Sequence, residues 1–266
     1  MSSTGSRPIG LVVAMEAEMV HTLAAFPPIE TTARDNWSFH HLRIAGHEVI
    51  ALRSAMGLIN AAAATERLIA EYSPEILLNY GCSGAHRREI MPGDVVIGER
   101  VVHHSAMQVL KDGSERYAGF GYFVAGERMD AAELASDPEL VTLAKQAAET
   151  AIVESWPADL FWPRSVDRRD PVIHSGVVAS ADIWTQATER LDVLHGRHQS
   201  LCEDMEAAAI AQICALHGTR FLTIKDISNN EYLQASDLDG FTDFPVAEIG
   251  KRAAALIAGL IAILPV

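Results

Sequence analysis

The stretch that decides the fold is residues 200–230, SLCEDMEAAAIAQICALHGTRFLTIKDISNN. Its middle part, residues 207–216, is rich in Ala and places apolar residues at i, i+3 and i+4, which predicts a buried helix. His217-Gly218 is a typical helix end, and residues 220–227 are typical of a buried strand. A buried helix followed directly by a strand indicates an α/β fold, with polar residues gathered where the strand ends.

Glu206 stands in the first turn of the predicted helix. The helix dipole and the free backbone N–H groups favour a negative charge there, so we expect this carboxylate to stay ionised. An ionised carboxylate can accept two hydrogen bonds from a diol such as a ribose. Glu206 is therefore a candidate for binding a sugar.

The two ends of this stretch carry a family resemblance. Asp204-Met205-Glu206-Ala207 and Ile227-Ser228-Asn229 resemble the EMEA and (V/I)SD motifs of the purine nucleosidase and phosphorylase superfamily. The resemblance is strongest with the methylthioadenosine/S-adenosylhomocysteine nucleosidases. In that family the helix glutamate, with Met205 beside it here, contacts the ribose, and the SD aspartate passes a proton to purine N7. This chain departs from the family at the SD position, where it has Asn229.

Composition limits the class of protein. The chain has 266 residues, 49% of them hydrophobic, and a formal net charge of −14. We expect a disordered leader over residues 1–8, which lacks the apolar core of a signal peptide, and one domain over residues 9–266. The acidic balance argues against nucleic acid or an anionic membrane as partner, because both require clustered Lys and Arg. No apolar run reaches membrane-spanning length.

Cysteine usage indicates a reducing compartment. The three cysteines have no CxxC spacing and cannot all pair, so we expect a cytoplasmic protein with small buried thiols at Cys82, Cys202 and Cys214.

The resemblance implies a single-domain three-layer α/β/α sandwich with a central mixed sheet. Residues 9–14, IGLVVA, are typical of a central buried strand, and residues 38–44 and 47–53 predict a hairpin. Glu16 and Glu18 follow the first strand, where open α/β sheets place their ligands. The segment is similar to the family's GAMEEE, whose third acidic position carries the water-activating base and falls on Glu18.

Further site residues follow from the resemblance alone. Residues 80–85, YGCSGA, predict a glycine turn similar to the family's GSAGG, which gives Ser83 and Gly84 as substrate contacts. The turn at residues 54–57 is similar to SGIG, and it gives Met56 as a contact to the 5′ substituent. Residues 180–184 are loosely similar to SGDAFI, so base stacking could come from Ile183, from Trp184 or from neither.

Three more positions complete the predicted site. Lys225 stands where the family has an arginine near the water and Glu18. Phe120-Gly121-Tyr122 resembles the FGY segment that reaches over the neighbouring subunit's pocket, which implies a homodimer. Phe244 is a candidate for covering the 5′ pocket, and Phe241 or a role in the core are the alternatives.

Two segments are expected to have no catalytic role. His103-His104 has no third ligand at zinc spacing, so we expect satisfied histidines on a strand, and neither a metal nor a cofactor. Residues 156–171, WPADLFWPRSVDRRDP, are expected to form a solvated surface insertion.

The resemblance predicts hydrolysis of a purine nucleoside, with Glu18 activating water and Glu206 holding the sugar hydroxyls. Asn229 leaves alternatives open, because an amide cannot donate a proton as a carboxylic acid does. If a 6-oxopurine leaves, as in a futalosine hydrolase, the amide can accept from N7–H and donate to O6. Arg87 and Arg88 leave a phosphorylase as an alternative, although Glu16 and Glu18 would repel phosphate. A nucleoside-binding protein with weakened catalysis is the third alternative.

Overall fold

The computed structural model describes residues 7–160, 162–163, 165–233 and 245–265. The helices are α1 (Glu16–Ala25), α2 (Leu58–Tyr72), α3 (Pro138–Thr150), α4 (Thr188–His198), α5 (Ala207–His217) and α6 (Lys251–Ile263). The first strands are β1 (Ile9–Val13), β2 (Glu30–Arg34), β3 (Trp37–Ile44), β4 (His47–Arg53), β5 (Ile76–Ala85), β6 (Val95–His103) and β7 (Met107–Val109). The remaining strands are β8 (Glu115–Tyr117), β9 (Phe120–Val124), β10 (Glu127–Ala131), β11 (Leu134–Ala135), β12 (Ile173–Ser180), β13 (Ser200–Asp204) and β14 (Arg220–Asn229).

A ten-stranded mixed sheet forms the centre of the described structure. β1 runs parallel to both β4 and β5, and β14 runs parallel to β5. The strands β2, β3 and β4 continue the sheet as an antiparallel meander, with the predicted hairpin turn at Ala45 and Gly46 in positive-φ conformations. The predicted α/β class with a central mixed sheet is confirmed.

Part of this sheet closes on itself. β14 pairs with both β5 and β6, and β6 then leads through β12 and β13 back to β5. In this ring β13 is antiparallel to β5, whereas β12 is parallel to both of its neighbours. The closure brings the last residues of β5, β13 and β14, which are distant in sequence, close together, since Glu203 and Asn229 both pair with Gly84.

Helices cover both faces of the sheet because each face presents a continuous apolar surface. Buried side chains of α1, α3 and α6 pack against one face, around Leu11, Leu78 and Ile224. Buried side chains of α2 and α5 pack against the other, around Val12 and Leu77. Alternate residues of β1 and β5 thus face opposite cores, as expected for a central strand. No helix among the described residues is long and apolar enough to cross a membrane.

One local prediction is wrong, and a second is only partly right. Residues 80–85 do not turn after the strand but continue β5 to Ala85, because β14 and β13 supply backbone partners along their length. The segment 156–171 is not merely a solvated insertion, since Trp156 is buried against Arg252 and Gly93. Arg168 and Arg169 fix its described parts through bonds to backbone carbonyls and to Asp94.

Candidate active site

A cavity of about 280 Å³ opens at the carboxyl ends of β1, β5, β13 and β14. This is the edge at which α/β sheets place their ligands. The cavity is lined by Ala14, Met15, Glu18, Met56, Cys82, Ser83, Gly84, Ile183, Trp184, Glu203, Asp204, Met205, Glu206, Ser228 and Asn229.

Glu18, in the first turn of α1, is held firmly at this cavity. Its Oε1 accepts from the Cys82 N–H at 2.8 Å and its Oε2 accepts from the Met15 N–H at 2.9 Å. A Cβ at Gly81 would lie 2.6 Å from Oε1, so only glycine permits this approach of the carboxylate to β5. Burial raises the pKa of Glu18 against the opposing effects of these N–H groups and Lys225. A buried carboxylate with a raised pKa is suited to act as a base.

Glu206 is the N-cap residue of α5 rather than a member of its first turn. Its Oε1 accepts from the backbone N–H of Gly57 at 2.9 Å, which ties α5 to the start of α2. Burial, and then the neighbouring Asp204 carboxylate, raise the pKa of Glu206 to about 7. The expectation that the helix dipole keeps Glu206 fully ionised is therefore wrong, because desolvation outweighs the dipole.

Lys225 supplies the positive charge beside these carboxylates. Its Nζ lies 2.7 Å from Oδ2 of Asp204, and both side chains are only 1% exposed. Burial alone would lower the pKa of Lys225, but Asp204, Glu206 and Glu18 raise it above its usual value, so the ammonium stays charged. Asp204 also accepts from the Ala207 N–H at 3.1 Å and so caps α5. We call Glu18, Asp204, Glu206 and Lys225 the lysine end of the site.

Asn229 lies where β14 is irregular. Ile227 pairs with Ser83 and Asn229 pairs with the next residue, Gly84, so one residue bulges and both Ser228 and Asn229 reach the cavity. Asn229 Oδ1 accepts from the Ser228 hydroxyl at 2.9 Å, and Nδ2 donates to Glu231 Oε1 at 3.0 Å.

Asp226 points away from the cavity. It accepts from the backbone N–H groups of Gly250 and Arg252 at the start of α6, at 2.9 and 3.1 Å. Asp226 therefore does not replace the missing acid at position 229.

Glu203 is a site residue that the sequence reasoning missed. It is 5% exposed, lines the cavity, and accepts from the N–H and the hydroxyl of Thr185 at 2.6 and 3.0 Å. It pairs with Gly84 across β13 and β5. The available signal was a further glutamate directly before the DMEA motif. We call Gly84, Glu203 and Asn229 the amide end of the site.

Two buried histidines lie behind Glu203. His86 Nε2 is 3.3 Å and His104 Nε2 is 3.7 Å from Glu203 Oε2, and both histidines are 1% exposed. Burial lowers the pKa of His104 to about 4, so its imidazole is neutral. Among the described residues neither ring nitrogen of His104 has a hydrogen-bond partner, so the prediction of a satisfied histidine is wrong at this position. His104 follows β6 rather than lying within it.

Apolar side chains form the rim. Met56, Ile183 and Trp184 are about half exposed, and all three line the cavity. Asp182 accepts from the Leu58 N–H at 2.7 Å and joins the two rim segments.

The structure brings most of the predicted residues to one place. The predicted residues among the lining are Glu18, Met56, Ser83, Gly84, Ile183, Trp184, Met205, Glu206 and Asn229. Lys225 is buried behind the lining and acts through Asp204. Phe120 and Tyr122 lie on the β9–β10 hairpin outside the lining, so their contribution to a neighbouring subunit's pocket stays a prediction. Phe244 and Phe241 lie outside the described residues.

A larger cavity, about 470 Å³, lies between α3 and α6. Its two cations are already paired, Lys251 with Glu154 at 2.5 Å and Arg252 with Glu248 at 2.8 Å. It does not gather a catalytic set, so the smaller cavity is the candidate active site.

The fold and the site define a class of protein. The family model of the phosphorylase superfamily matches residues 8–262, and the chain belongs to this superfamily. Its curated relatives include the 5′-methylthioadenosine/S-adenosylhomocysteine nucleosidase of Geobacillus kaustophilus, 30% identical over 220 residues that cover 82% of this chain and 83% of the relative. The enzyme of the same name from Shewanella loihica is 28% identical over 257 residues, which cover 95% and 98%. The resemblance deduced from the motifs is confirmed.

Solved structures agree on the fold. The Neisseria meningitidis 5′-methylthioadenosine/S-adenosylhomocysteine nucleosidase, in complex with methylthio-immucillin-A, has a TM-score of 0.75 at 24% identity and covers 97% of this chain and 100% of its own. The futalosine hydrolase of Helicobacter pylori has a TM-score of 0.76 at 20% identity and covers 98% and 100%.

Proposed function

We propose that the protein hydrolyses the N-glycosidic bond of a purine nucleoside modified at the 5′ position. The observation that carries the proposal is that Glu18 and Glu206 face one cavity and share the charge of Lys225. These carboxylates come from distant parts of the chain, and their meeting at one cavity fits a single sugar between them. The relatives named as nucleosidases support the same reaction.

Glu18 is the proposed base. It takes a proton from the water that attacks C1′, while the bond from C1′ to the base breaks through a ribosyl-cation-like transition state. Two backbone N–H groups fix the carboxylate, so its orientation costs little when the substrate binds. The departing base takes up a proton from solvent, because the Asn229 amide has none to give.

Glu206 is the proposed ligand of the ribose 2′ and 3′ hydroxyls. One of its oxygens already accepts from Gly57, which leaves three lone-pair positions for the diol. Its negative charge also favours positive charge on the sugar in the transition state. Met205 packs beside the sugar, and Met56 at the rim contacts the 5′ substituent.

Water, rather than phosphate, is the proposed nucleophile. Among the described residues no arginine lines the cavity. Arg87 pairs with Glu89, Arg88 stacks over Tyr232 and Arg53 pairs with Glu16. Lys225 is the cation beside the lining, and Asp204 neutralises it. An anionic co-substrate would therefore meet net negative charge.

We also infer the setting of the enzyme. Free thiols at Cys82, Cys202 and Cys214 support a reduced, cytoplasmic protein. A homodimer would let Phe120 and Tyr122 cover the partner's pocket, since the half-exposed rim leaves room for such a cover. We retain the single domain over residues 9–266 in this proposal.

A second candidate function is nucleoside binding with weakened catalysis. The observation that favours it is Asn229, because loss of a general acid slows glycosidic cleavage by about a hundred- to ten-thousandfold.

One experiment separates these possibilities. The protein is incubated with methylthioadenosine, adenosylhomocysteine, inosine and futalosine, with and without phosphate, and free base and sugar are measured by chromatography. Base release without phosphate is expected. Phosphate-dependent release would establish a phosphorylase, and ligand binding without release would establish the binding protein.

A further inference from the structure

Asp226 is a buried carboxyl group to which the proposed reaction gives no role. It follows Lys225 on β14, is 2% exposed, and reaches the start of α6. Its two oxygens accept from the backbone N–H groups of Gly250 at 2.9 Å and of Arg252 at 3.1 Å. Gly250 is the N-cap residue of α6 and has no side chain to satisfy these groups, so Asp226 caps the helix from a neighbouring strand.

Gly250 joins this cap to the proposed base. A Cβ at Gly250 would lie 3.0 Å from both Cβ and Cγ of Glu18 and 3.3 Å from its Cα. The backbone of Gly250 therefore packs directly on the stem of the Glu18 side chain. Gly250 also has a φ of +74°, in the left-handed region that other residues rarely adopt. Both the conformation and the contact favour glycine at this position.

The contact with Gly250 acts on a part of Glu18 that hydrogen bonds do not hold. The N–H groups of Met15 and Cys82 bind its carboxylate, and the Tyr80 hydroxyl donates to its backbone carbonyl at 2.9 Å. These bonds fix the two ends of the residue, whereas Cβ and Cγ between them lie against Gly250. The direction in which the side chain leaves α1 therefore depends on where α6 begins.

Asp226 and Glu18 also belong to one system of buried charges. Burial raises the pKa of Asp226 to about 7, and the charge of Glu18 adds to this rise, whereas the two backbone N–H groups and the charge of Arg252 oppose it. Burial likewise raises the pKa of Tyr80 and of Cys82 on β5, and Asp226 adds to both shifts. Removing Asp226 would therefore change the surroundings of the proposed base.

We propose that Asp226 is a positioning residue for the hydrolysis, because it holds Gly250 against the stem of Glu18 and so fixes the direction of the proposed base. Asp226 acts from behind, since its oxygens bind α6 and it is not part of the cavity lining. Without this cap the start of α6 can shift, and the Glu18 carboxylate meets the attacking water less often in the productive orientation. This inference rests on the proposed function of Glu18.

The first test compares Asp226→Ala with Asp137→Ala as a matched control. Asp137 also caps a helix, α3, through the N–H groups of Glu139 and Leu140, and it lies near Phe221 at the opposite end of β14. Asp226→Ala should lower kcat by about ten- to a hundredfold with little change in KM. Asp137→Ala should leave both constants unchanged, when each variant is assayed at a temperature where circular dichroism shows it fully folded. A kcat equal to that of the wild type in Asp226→Ala overturns the inference.

Gly250→Ala tests the route of the effect. Its Cβ would press on the stem of Glu18 while Asp226 stays in place, so kcat should fall by about tenfold or more. If Asp226 acts through this contact, the double variant should lose little more than the larger single loss. Losses that multiply in the double variant overturn the route through Gly250. Asp226→Asn, which keeps one acceptor oxygen, replaces Asp226→Ala in these comparisons if the alanine variant does not fold.

An NMR titration separates this inference from the proposed function, because it requires no turnover. The protein is labelled with carbon-13 at the glutamate side-chain carboxyls, and the signal of Glu18 is assigned by its loss in Glu18→Gln. Burial is the largest cause of the raised pKa of Glu18, so entry of water after Asp226→Ala should lower this pKa by about half a pH unit or more. Asp137→Ala should not change it.

The two proposals then fail in different ways. An unchanged pKa of Glu18 in Asp226→Ala overturns the positioning role even if the wild type cleaves nucleosides. A lowered pKa in a protein that cleaves no nucleoside supports the contact between Asp226, Gly250 and Glu18 and rejects the proposed function.

Discussion

The lysine end and the amide end lie only a few residues apart along β5, yet they use carboxylates in different ways. At the lysine end, three carboxylates surround one ammonium, and burial, followed by the neighbouring Asp204 carboxylate, raises the pKa of Glu206 to about 7. At the amide end, Glu203 accepts two hydrogen bonds from the neutral donors of Thr185, and Asn229 carries no charge. The lysine end can therefore transfer a proton, whereas the amide end can only form hydrogen bonds with a ligand.

This difference shows how one scaffold separates chemistry from recognition. The lysine end follows the family motifs at Glu18 and Glu206. The amide end departs from them, at Asn229 in particular. The following predictions test that separation.

The largest effect is expected from Glu18→Gln. An amide cannot take the proton from water, so kcat should fall by about a hundred- to ten-thousandfold with little change in KM. Steady-state kinetics on whichever base the enzyme prefers gives both constants. Glu16→Gln is the matched control, because Glu16 lies on the same turn of α1 but is exposed and pairs with Arg53. Equal losses in the two variants would remove Glu18 from the role of base.

Lys225→Met should be the most destabilising substitution at the lysine end. It leaves Asp204, Glu206 and Glu18 buried without their shared cation, so the free energy of unfolding should fall by about 3–5 kcal/mol. Urea unfolding measures this, with Lys251→Met as the control, since that lysine pairs at the surface and should cost less than about 1 kcal/mol. Adding Asp204→Asn to Lys225→Met should recover part of the loss. A stability unchanged by Lys225→Met would contradict the charge balance described for this end.

Asn229→Asp should turn the amide end into a proton donor. The new carboxyl would lie about 3 Å from Glu231, and two carboxyls so close raise the pKa of one of them. A protonated Asp can donate to N7 of adenine, so adenine release from methylthioadenosine should rise by about a hundredfold. Asn229→Asp with Glu231→Gln is the comparison, and it should show a smaller gain at neutral pH. No gain in adenine release would mean that a proton at N7 does not limit the reaction.

The two ends also differ in how many of their residues could be predicted from the sequence. Local patterns and motifs place Glu18 and Glu206 correctly, because each follows a strand or opens a helix that the hydrophobic periodicity predicts. Glu203 escapes such reasoning, since its importance arises only when β13 pairs antiparallel with β5 beside Gly84. That pairing depends on closure of the ring of strands, which no local pattern encodes.

The pKa of Glu206 and the length of β5 could not be predicted from the sequence either, for related reasons. The pKa of Glu206 depends on burial and on Asp204, which together outweigh the helix dipole that the sequence makes visible. Residues 80–85 look like a glycine turn, but partners on both sides keep them in β5. Tertiary contacts therefore decide both the pKa of Glu206 and the length of β5.

The smallest expected effect is a pH dependence of substrate binding that runs opposite to that of stability. Because burial raises the pKa of Glu206 to about 7 from its usual 4.5, only the higher pH range gives the carboxylate that accepts both ribose hydroxyls. KM should fall by about tenfold between pH 6 and pH 8, as the ionised fraction rises. A raised pKa in the folded state stabilises the fold below the unfolded pKa, and this contribution is lost as pH rises through 7. Asp226, whose burial also raises its pKa to about 7, adds to the same loss.

The measurement is KM and the urea midpoint across pH 5.5–8.5, with Glu206→Gln as the variant that should abolish the pH dependence of KM. Titration of Glu18 acts mainly on kcat, so separate plots of KM and kcat distinguish the two carboxyls even though their titrations interact. The contrary result would be a wild-type KM that does not change with pH together with a urea midpoint that falls as pH rises. That result would assign the raised pKa to Asp226 alone. In that case Glu206 would be ionised throughout, and burial would affect the lysine end less than its geometry indicates.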